Sequence, residues 1–467
     1  MRLILIFPDC FLSFAGNAWQ GQGAQLTFWA RGGKLRRGQR VMNMTAFQRF
    51  VAASGMTNLA DGVAVVAWGW AASLLTRDAL LVALVPVALR MPWVLCALPA
   101  GVVTDRVDRR RLILAMDAVR TVAFALAAVA IWAALPLDPA PARGVSDAGL
   151  YAMILLAGLV VGGAEVFRDN AAQTMLPALV QGADLEQANG RLWSVEMIAN
   201  SLIGPVLGAF LIALWLPLPF AGNALAYGVA ILLVMRISGN FRVTQTAPRN
   251  WRAELAEGFG FLRASPLLRD LALITGFWNL LHQLVIIALV LHAQENFGLG
   301  AKAYGLMLAG GAVGGVIGSL TGSRVAQVLG SVNTMRWMLA ASPLAFAVIA
   351  LAPGPLTVAA ALGFSEMTGL IWNIVSVTTR QRMIPDAMLG RVNSLYRLLA
   401  WGMIPVGLML SGLIVRAADG PFTREVALTL PFWTAAFGGV ALTLAAWRAL
   451  ARGFTPGPRG GDPDKKI

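Results

Sequence analysis

Residues 80–111 read LLVALVPVALRMPWVLCALPAGVVTDRVDRRR, an apolar run of about 20 residues followed by a glycine, two acids and four arginines. A run of this length is what an α-helix needs to cross a hydrocarbon layer of about 30 Å. Arginines directly after such a run are typical of the cytoplasmic end of a transmembrane helix. The stretch therefore predicts a membrane-spanning helix that ends in a short cytoplasmic loop.

Similar apolar runs recur along the chain. They lie near residues 50–74, 80–103, 112–134, 149–167, 192–214, 217–237, 271–294, 303–322, 335–353, 356–378, 395–416 and 427–450. The 467 residues are 58% hydrophobic and 13% charged, whereas soluble proteins average about 45–50% apolar and about 25% charged residues. This composition excludes a soluble globule, a collagen and a disordered chain. The sequence predicts an all-α polytopic membrane protein with twelve transmembrane helices.

The basic residues are distributed unevenly between alternate loops. The formal net charge is +14, and 29 of the 37 Lys and Arg fall in the two tails and in the loops that follow even-numbered runs, against five in the other loops. Because basic residues concentrate on the cytoplasmic side, both termini are expected in the cytoplasm and the protein in the cell (inner) membrane. Nucleic-acid binding is excluded because the charges lie between apolar runs and not on one surface.

The chain divides into two similar parts. TMLP at 174–177 and RMIP at 382–385 follow the fourth and tenth runs, and each is followed by an apolar run that contains a proline. Two pseudo-symmetric six-helix halves joined by a linker are typical of a transporter with its site between the halves. We predict an N-terminal half at 46–237, a cytoplasmic linker with an amphipathic helix at 238–270, a C-terminal half at 271–450 and a cytoplasmic tail at 451–467.

The first 45 residues do not fit this pattern. An apolar patch is broken at Pro8 and Asp9, and a Gly- and Gln-containing stretch and a basic run follow. A cleaved signal peptide is one interpretation. The favoured expectation is a disordered tail, or a segment upstream of a true start at Met42 or Met44.

The loop after the second run carries a motif. Gly101, Asp105, Arg106, Arg109 and Arg110 resemble the signature between helices two and three of the major facilitator superfamily, with Asp108 in place of its second glycine. Residues 90–101, 174–180 and 390–400 are similar to the branch that includes the enterobactin exporter. The resemblance implies alternating access and a cytoplasmic gate in which Asp105 accepts hydrogen bonds from Arg109. The alternative interpretation is plain positive-inside anchoring.

Glycine and proline mark two of the predicted helices. Gly204, Pro205 and Gly208 in the fifth resemble part of the antiporter signature of drug and proton exchangers, although kinked close packing explains them equally well. In the eighth, the four-residue spacing of Gly310, Gly314 and Gly318 clears one helix face of side chains. That stripe predicts tight contact between helices and not ligand binding.

Charges inside the predicted helices need partners or water. Asp61, Arg90 and Glu366 lie nearest the membrane centre, and Asp61 and Arg90 are expected to pair between adjacent helices. Glu366 has no basic residue within ten positions, so it is the favoured proton-coupling residue. The pairs Asp117–Arg120 and Glu165–Arg168 have the spacing of structural ion pairs within one helix.

The seventh predicted helix is polar near its middle. Asn279, His282 and Gln283 are candidates for lining a cavity, although a single histidine with satisfied hydrogen bonds is a common structural feature. His282 and His292 are ten residues apart, about 15 Å along a helix, so they cannot share a metal ion. We expect no metal and no cofactor.

Enzyme signatures are missing from the sequence. It has no phosphate-binding loop, no HExxH, no GxSxG and no paired CxxC, so we expect a non-enzyme driven by a gradient. The predicted function is proton-coupled efflux of a small amphipathic molecule, such as a drug or siderophore, by alternating access. The alternatives are a facilitator or importer of the same fold, and a transport-inactive membrane sensor. The expected partners are the small-molecule substrate, protons and the lipid bilayer, and the protein is expected to act as a monomer.

Overall fold

The computed structural model describes residues 37–180, 185–239, 241–242 and 251–454. The helices are α1 (Arg37–Leu75), α2 (Ala79–Arg106), α3 (Arg109–Ala133), α4 (Ala148–Leu179), α5 (Leu185–Met197), a π-helical segment (Ile198–Ile203), α6 (Gly204–Leu214), α7 (Leu218–Met235), α8 (Trp251–Ala264), α9 (Pro266–Glu295), α10 (Ala301–Leu329), α11 (Ser331–Ala350), α12 (Pro355–Met383), α13 (Asp386–Trp401), α14 (Met403–Ala418) and α15 (Arg424–Phe454).

Within these ranges, twelve helical segments are long and apolar enough to cross a membrane, which confirms the predicted number. The first four spans belong to α1 to α4. The fifth runs through α5, the π-helical segment and α6, and the eleventh runs from α13 into α14. The others belong to α7, α9, α10, α11, α12 and α15, while α8 lies in the linker where the amphipathic helix is predicted. The predicted tails lie largely outside the described residues.

The fourth span differs from its predicted end. The apolar run ends at residue 167, which placed Arg168 in a loop, but α4 continues to Leu179 and Arg168 is buried. The predicted end was wrong because a hydropathy criterion places the end of a span at its first charged residues. Here the Arg168 side chain is buried in the bundle and pairs with Asp117, and the backbone stays helical.

The loops lie alternately at two ends of the bundle. We call the end that carries the α2–α3 loop and the α7–α9 linker the linker end, and the end that carries the α1–α2, α3–α4 and α14–α15 loops the far end. The two halves contact each other through α2 against α14 and α6 against α10. The first contact joins the second and eleventh spans, and the second contact joins the fifth and eighth spans. A pseudo-symmetry that exchanges the two six-helix halves converts one contact into the other, as expected.

The halves share a core only in part. One large cluster of buried residues, which includes Trp70 of α1 and Tyr304 of α10 in ring contact at 5.4 Å, contains residues of both halves. Toward the linker end the described residues form separate clusters, one around Phe50 and Met175 of the N half and another around Leu271 and Tyr396 of the C half. The bundle is therefore closed at the far end, and its halves separate toward the linker end.

The glycine stripe of α10 packs directly on α12. Side chains added at Gly310, Gly314 and Gly318 would overlap the backbone of Ala359, Gly363 and Met367. Without a hydrophobic drive between helices in lipid, this backbone contact provides the van der Waals packing that holds the two helices together.

We expect Gly314→Ala to destabilise the protein, because its methyl group meets the Gly363 backbone, which cannot move without separating the helices. Overpacking of this kind costs about 1–3 kcal/mol. The measurement is the thermal melting temperature of the purified protein in detergent. Gly315→Ala is the matched control, since an added Cβ there has no neighbour within 4 Å. Equal melting temperatures for the two variants would contradict the packing role.

Candidate transport pathway and its charged residues

A cluster of charged side chains lies inside the N half. Arg120 of α3 is fully buried and pairs with Asp61 of α1, and its Nη2 also donates to the Tyr227 hydroxyl of α7 at 2.6 Å. The Tyr227 hydroxyl in turn donates to Asp61 Oδ1 at 2.7 Å. One guanidinium, one carboxylate and one phenol thus join three helices, and the mutual hydrogen bonds offset the cost of removing the charges from water.

The cluster continues into α4. Arg168 Nε lies 3.7 Å from Asp117 Oδ1, and Arg168 Nη1 lies 3.3 Å from Asp169 Oδ1. Asp117 is also 3.9 Å from Arg120 Nη1. The pair Asp117–Arg120 expected from sequence is therefore present as a secondary contact, and the main partners of both residues lie on other helices.

Arg90 of α2 pairs with Glu165 of α4 at 3.3 Å. The expected pair between Asp61 and Arg90 is not formed, and this prediction was wrong. Glu165 was expected to pair with Arg168, and it pairs with Arg90 instead. Sequence spacing gives the helix on which a charge lies but not the face, and Asp61 faces α3 and α7, not α2.

The acid of the C half has a different setting. Glu366 of α12 lies 3.0 Å from His282 Nε2 of α9, and its side chain is 41% exposed. The His282 ring stacks on Trp278, with ring centroids 4.9 Å apart. Acids within membrane spans almost always face the bundle interior or a water-filled cavity, so we expect the exposed part of Glu366 to do the same.

The other two cavity-lining candidates of the seventh span, Asn279 and Gln283, contact a neighbouring helix. Asn279 Nδ2 donates to the Ala400 carbonyl of α13 at 2.8 Å, and Gln283 lies against Gly407 of α14. Both therefore face the eleventh span, while His282 faces the tenth. His292, far from His282 along α9, packs edge-on between Phe297 and Phe432.

The residues of the predicted gate lie at the linker end. Arg109 Nη1 donates to the Thr174 carbonyl of α4 at 2.7 Å, and Arg110 donates to the Val234 and Met235 carbonyls of α7. Arg106 is exposed, and an added Cβ at Gly101 has open space around it. The side chain of Asp105 lies outside the described residues. The described arginine contacts stay within the N half.

The fifth span is irregular at its proline. The π-helical segment ends directly before Gly204 and Pro205, where the missing proline N–H removes a helical hydrogen bond. Side chains at Gly204 and Gly208 would overlap the backbone of Gly62 and Val63 in α1. The π-helical segment and the close approach therefore lie next to Asp61.

Sequence reasoning missed a second charged site, which closes the far end. Asp78 precedes α2, is 3% exposed, and lies 3.5 Å from Arg416 of the C half. Arg143 of the α3–α4 loop lies 3.8 Å from Asp78 and 4.0 Å from Asp419 of the C half. We call Asp78, Arg143, Arg416 and Asp419 the far-end lock.

A second set of contacts lies beside this lock. Arg424 of α15 binds Glu295 of α9 at 2.8 Å and donates to the Arg77 carbonyl of the N half at 2.6 Å. Gln294 accepts from Arg77 and donates to Ser73 of α1 at 2.7 Å. The signal available in the sequence was the presence of arginines outside, against the positive-inside trend, at 77, 143, 416 and 424.

In the described part of the chain, no group of three or more His, Cys, Asp or Glu side chains is placed to hold a metal ion.

Comparison with known proteins identifies the family. The profile of the transmembrane secretion effector family matches residues 41–452, nearly all of the chain described above. The chain belongs to this family of the major facilitator superfamily. The predicted family resemblance is confirmed, and the protein is a multi-pass membrane transporter whose relatives move small molecules.

The relatives of this family member include efflux proteins. It is 28% identical to the multidrug efflux pump Tap of Mycolicibacterium fortuitum over 413 residues, which is 84% of this chain and 93% of Tap. It is 28% identical to the enterobactin exporter EntS of Shigella boydii over 302 residues, 63% of this chain and 67% of EntS. A bacterial homologue of the iron transporter ferroportin, solved in an inward-facing state, shares the fold with a TM-score of 0.65 at 16% identity, covering 89% of this chain and 99% of that one.

In this secretion effector, Asp61→Asn is expected to lower stability markedly, because it leaves the fully buried Arg120 without its main counter-ion. Removing one partner of a buried pair costs about 3–5 kcal/mol. The melting temperature in detergent should fall by several degrees, and a second change, Arg120→Met, should restore part of the loss. Asp270→Asn, which removes a carboxylate from an exposed pair with Arg269, serves as the control. A melting temperature equal to that of the control would refute the structural role of Asp61.

The far-end lock is expected to favour the state closed at the far end. Asp78→Asn keeps the helix N-cap on α2, because Asn caps as well as Asp, but removes the charge that attracts Arg416 and Arg143. We expect a shift of about fivefold in population toward the far-end-open state, equivalent to about 1 kcal/mol. Spin labels at Ala142→Cys and Lys302→Cys, in a background without the two native cysteines, report the distance between the halves by double electron–electron resonance.

Asp147→Asn is the matched control for this change. Asp147 caps α4 in the same way, by accepting from the Leu150 N–H at 2.9 Å. If both variants give the distance distribution of the parent, the far-end contacts do not set the conformational balance.

Proposed function

We propose that this protein exports small amphipathic molecules from the cytoplasm and that proton entry drives the export by alternating access. The observation that carries the proposal is the contact of Glu366, whose side chain is partly exposed, with His282 at 3.0 Å between the tenth and seventh spans. Efflux by the relatives Tap and EntS supports the direction. The excess of Lys and Arg in the tails and in the loops of the linker end supports a cytoplasmic location for that end.

The arrangement of the halves supports a conformation that takes substrate from the cytoplasm. The cores are separate toward the linker end and joined at the far end, where ion pairs cross between the halves. With the linker end in the cytoplasm, this is the inward-facing state. Asp105 and Arg109 are proposed to form the cytoplasmic gate when the halves close there, while Arg109 holds the Thr174 carbonyl in the open state.

Glu366 is better placed to carry a proton than Asp61. A carrier must exchange its proton with water on each side in turn, which requires exposure and partners that can be released. Glu366 is 41% exposed and faces the imidazole of His282. Asp61 is 14% exposed and is held by hydrogen bonds from both Arg120 and Tyr227. We therefore assign Asp61 and Arg90 to the helix-joining cluster and Glu366 to coupling.

The residues between the halves suit an amphipathic substrate. Trp93 of α2 and Trp401 of α13 meet across the halves, with ring centroids 5.4 Å apart, and Arg397 lies over the Trp401 ring at 5.2 Å. Arg397 also approaches Gln173 of the N half at 3.5 Å. Aromatic walls with a few polar groups are the usual lining of sites for molecules of this class. The protein is proposed to work as a monomer, since each half supplies its part of this lining.

We expect Glu366→Gln to abolish dye efflux driven by a pH gradient while leaving exchange of dye across the membrane intact. The amide cannot bind and release a proton, but exchange of substrate for substrate requires no net proton movement. The assay is movement of fluorescent amphipathic dyes in proteoliposomes, with and without an imposed pH gradient. Reversing the gradient distinguishes export from import.

Glu425→Gln is the control, because it removes an exposed acid at the start of α15, away from His282. If gradient-driven efflux persists in Glu366→Gln, the residue has no part in coupling. If exchange is lost to the same extent, Glu366 is a substrate contact or a structural residue. Absence of dye movement in the parent protein under every gradient would overturn the transport proposal for this substrate class.

A further inference from the structure

A basic recess of about 770 Å³ lies at the linker end, between the α2–α3 loop and the chain that leaves α7. Among the described residues, four arginines and one acid line it, namely Arg106, Arg110, Arg111, Arg242 and Asp108. Arg106 and Arg110 belong to the predicted gate, or are anchors in the alternative interpretation, and neither role explains a recess of this size and charge.

The acid does not neutralise the recess. Asp108 Oδ1 accepts from the Arg111 backbone N–H at 2.9 Å, and Oδ2 accepts from the Phe241 N–H at 3.2 Å. Asp108 thus caps α3 and fastens the start of the linker, and both of its oxygens bind backbone groups. Arg110 donates to two backbone carbonyls, which carry no net charge. The described lining thus carries four basic side chains and one acidic side chain.

The position of the recess matches the edge of a membrane. Arg110 holds the last carbonyls of α7, where the sixth span ends at Met235, and the third span begins at Arg109. The recess is therefore level with the ends of two spans, where phospholipid head groups lie.

A separate apolar groove lies farther along α3, on the outside of the bundle. Arg111, Ala115, Val119, Val122 and Leu126 are exposed and follow one another at helical spacing on α3. The last three line a groove of about 450 Å³ between α3 and α4, which Met153 and Leu156 complete. The groove begins about 10 Å along α3 from Arg111, within reach of an acyl chain attached to a head group in the recess.

We propose that the recess and the groove together bind one anionic phospholipid, with its phosphate group among the arginines and an acyl chain between α3 and α4. Guanidinium groups bind phosphate oxygens through paired hydrogen bonds, and several arginines around one concave site suit a phosphodiester. The groove makes a lipid the source of the phosphate, because a soluble phosphate would use only the recess. The assignment is independent of transport.

The test measures lipid binding to the purified full-length protein in detergent by native mass spectrometry. The probes are dioleoyl phosphatidylglycerol, dioleoyl phosphatidylcholine with the same chains, and glycerol phosphate as the soluble anion. We expect phosphatidylglycerol to bind more tightly than both. Arg106→Gln with Arg111→Gln should weaken its binding at least tenfold, since each arginine near a head group contributes about a fivefold effect.

Two further variants make the outcome specific. Arg324→Gln with Arg382→Gln removes two exposed arginines from the same end of the C half and should leave phosphatidylglycerol binding unchanged. Val122→Trp fills the groove and should weaken phosphatidylglycerol but not glycerol phosphate. Equal weakening by the control pair would reduce the effect to general charge attraction and overturn the site. Equal binding of both lipids, or binding of glycerol phosphate that phosphatidylglycerol does not displace, would overturn the lipid assignment.

Discussion

A charge inside a lipid bilayer is stable only where another charge or water meets it, and this constraint organises the N half. Asp61, Arg120 and Tyr227 come from the first, third and sixth spans, and Arg90, Glu165 and Arg168 extend the same cluster to the second and fourth. Separating two helices that share one of these pairs would leave an unpaired charge. The pairs therefore hold the helices of the N half together.

The C half is held together by different means. The backbone contact of α10 with α12 through glycine leaves no side chain between the two helices, and Asn279 ties α9 to the eleventh span. Glu366 meets an imidazole on α9 in place of an arginine. Asp61 and Asp117 of the N half lie against buried arginines, whereas Glu366 of the C half is partly exposed beside a histidine.

The contacts between the halves differ from those within them. At the far end the arginines that cross between the halves are between one quarter and one half exposed, whereas their partner Asp78 is buried. In the N half, Asp117 and both of its arginine partners, Arg120 and Arg168, are buried. At the linker end, the loop that carries Arg109 and Arg110 is fastened to α4 and α7 and forms a wall of the basic recess.

The sequence by itself determined the class, the twelve spans, the orientation expected from Lys and Arg and the family motif at Gly101 to Arg110, because apolar run length and loop charge act locally along the chain. It also indicated the glycine stripe, since a four-residue spacing fixes a helix face. Only the tertiary structure decided which charges pair. Asp61 joins Arg120 and not Arg90, Glu366 joins His282 eighty-four positions away, and Asp78 joins Arg416 across the two halves. These partners depend on helix rotation and on the packing of helices distant in sequence, which hydropathy and spacing do not contain.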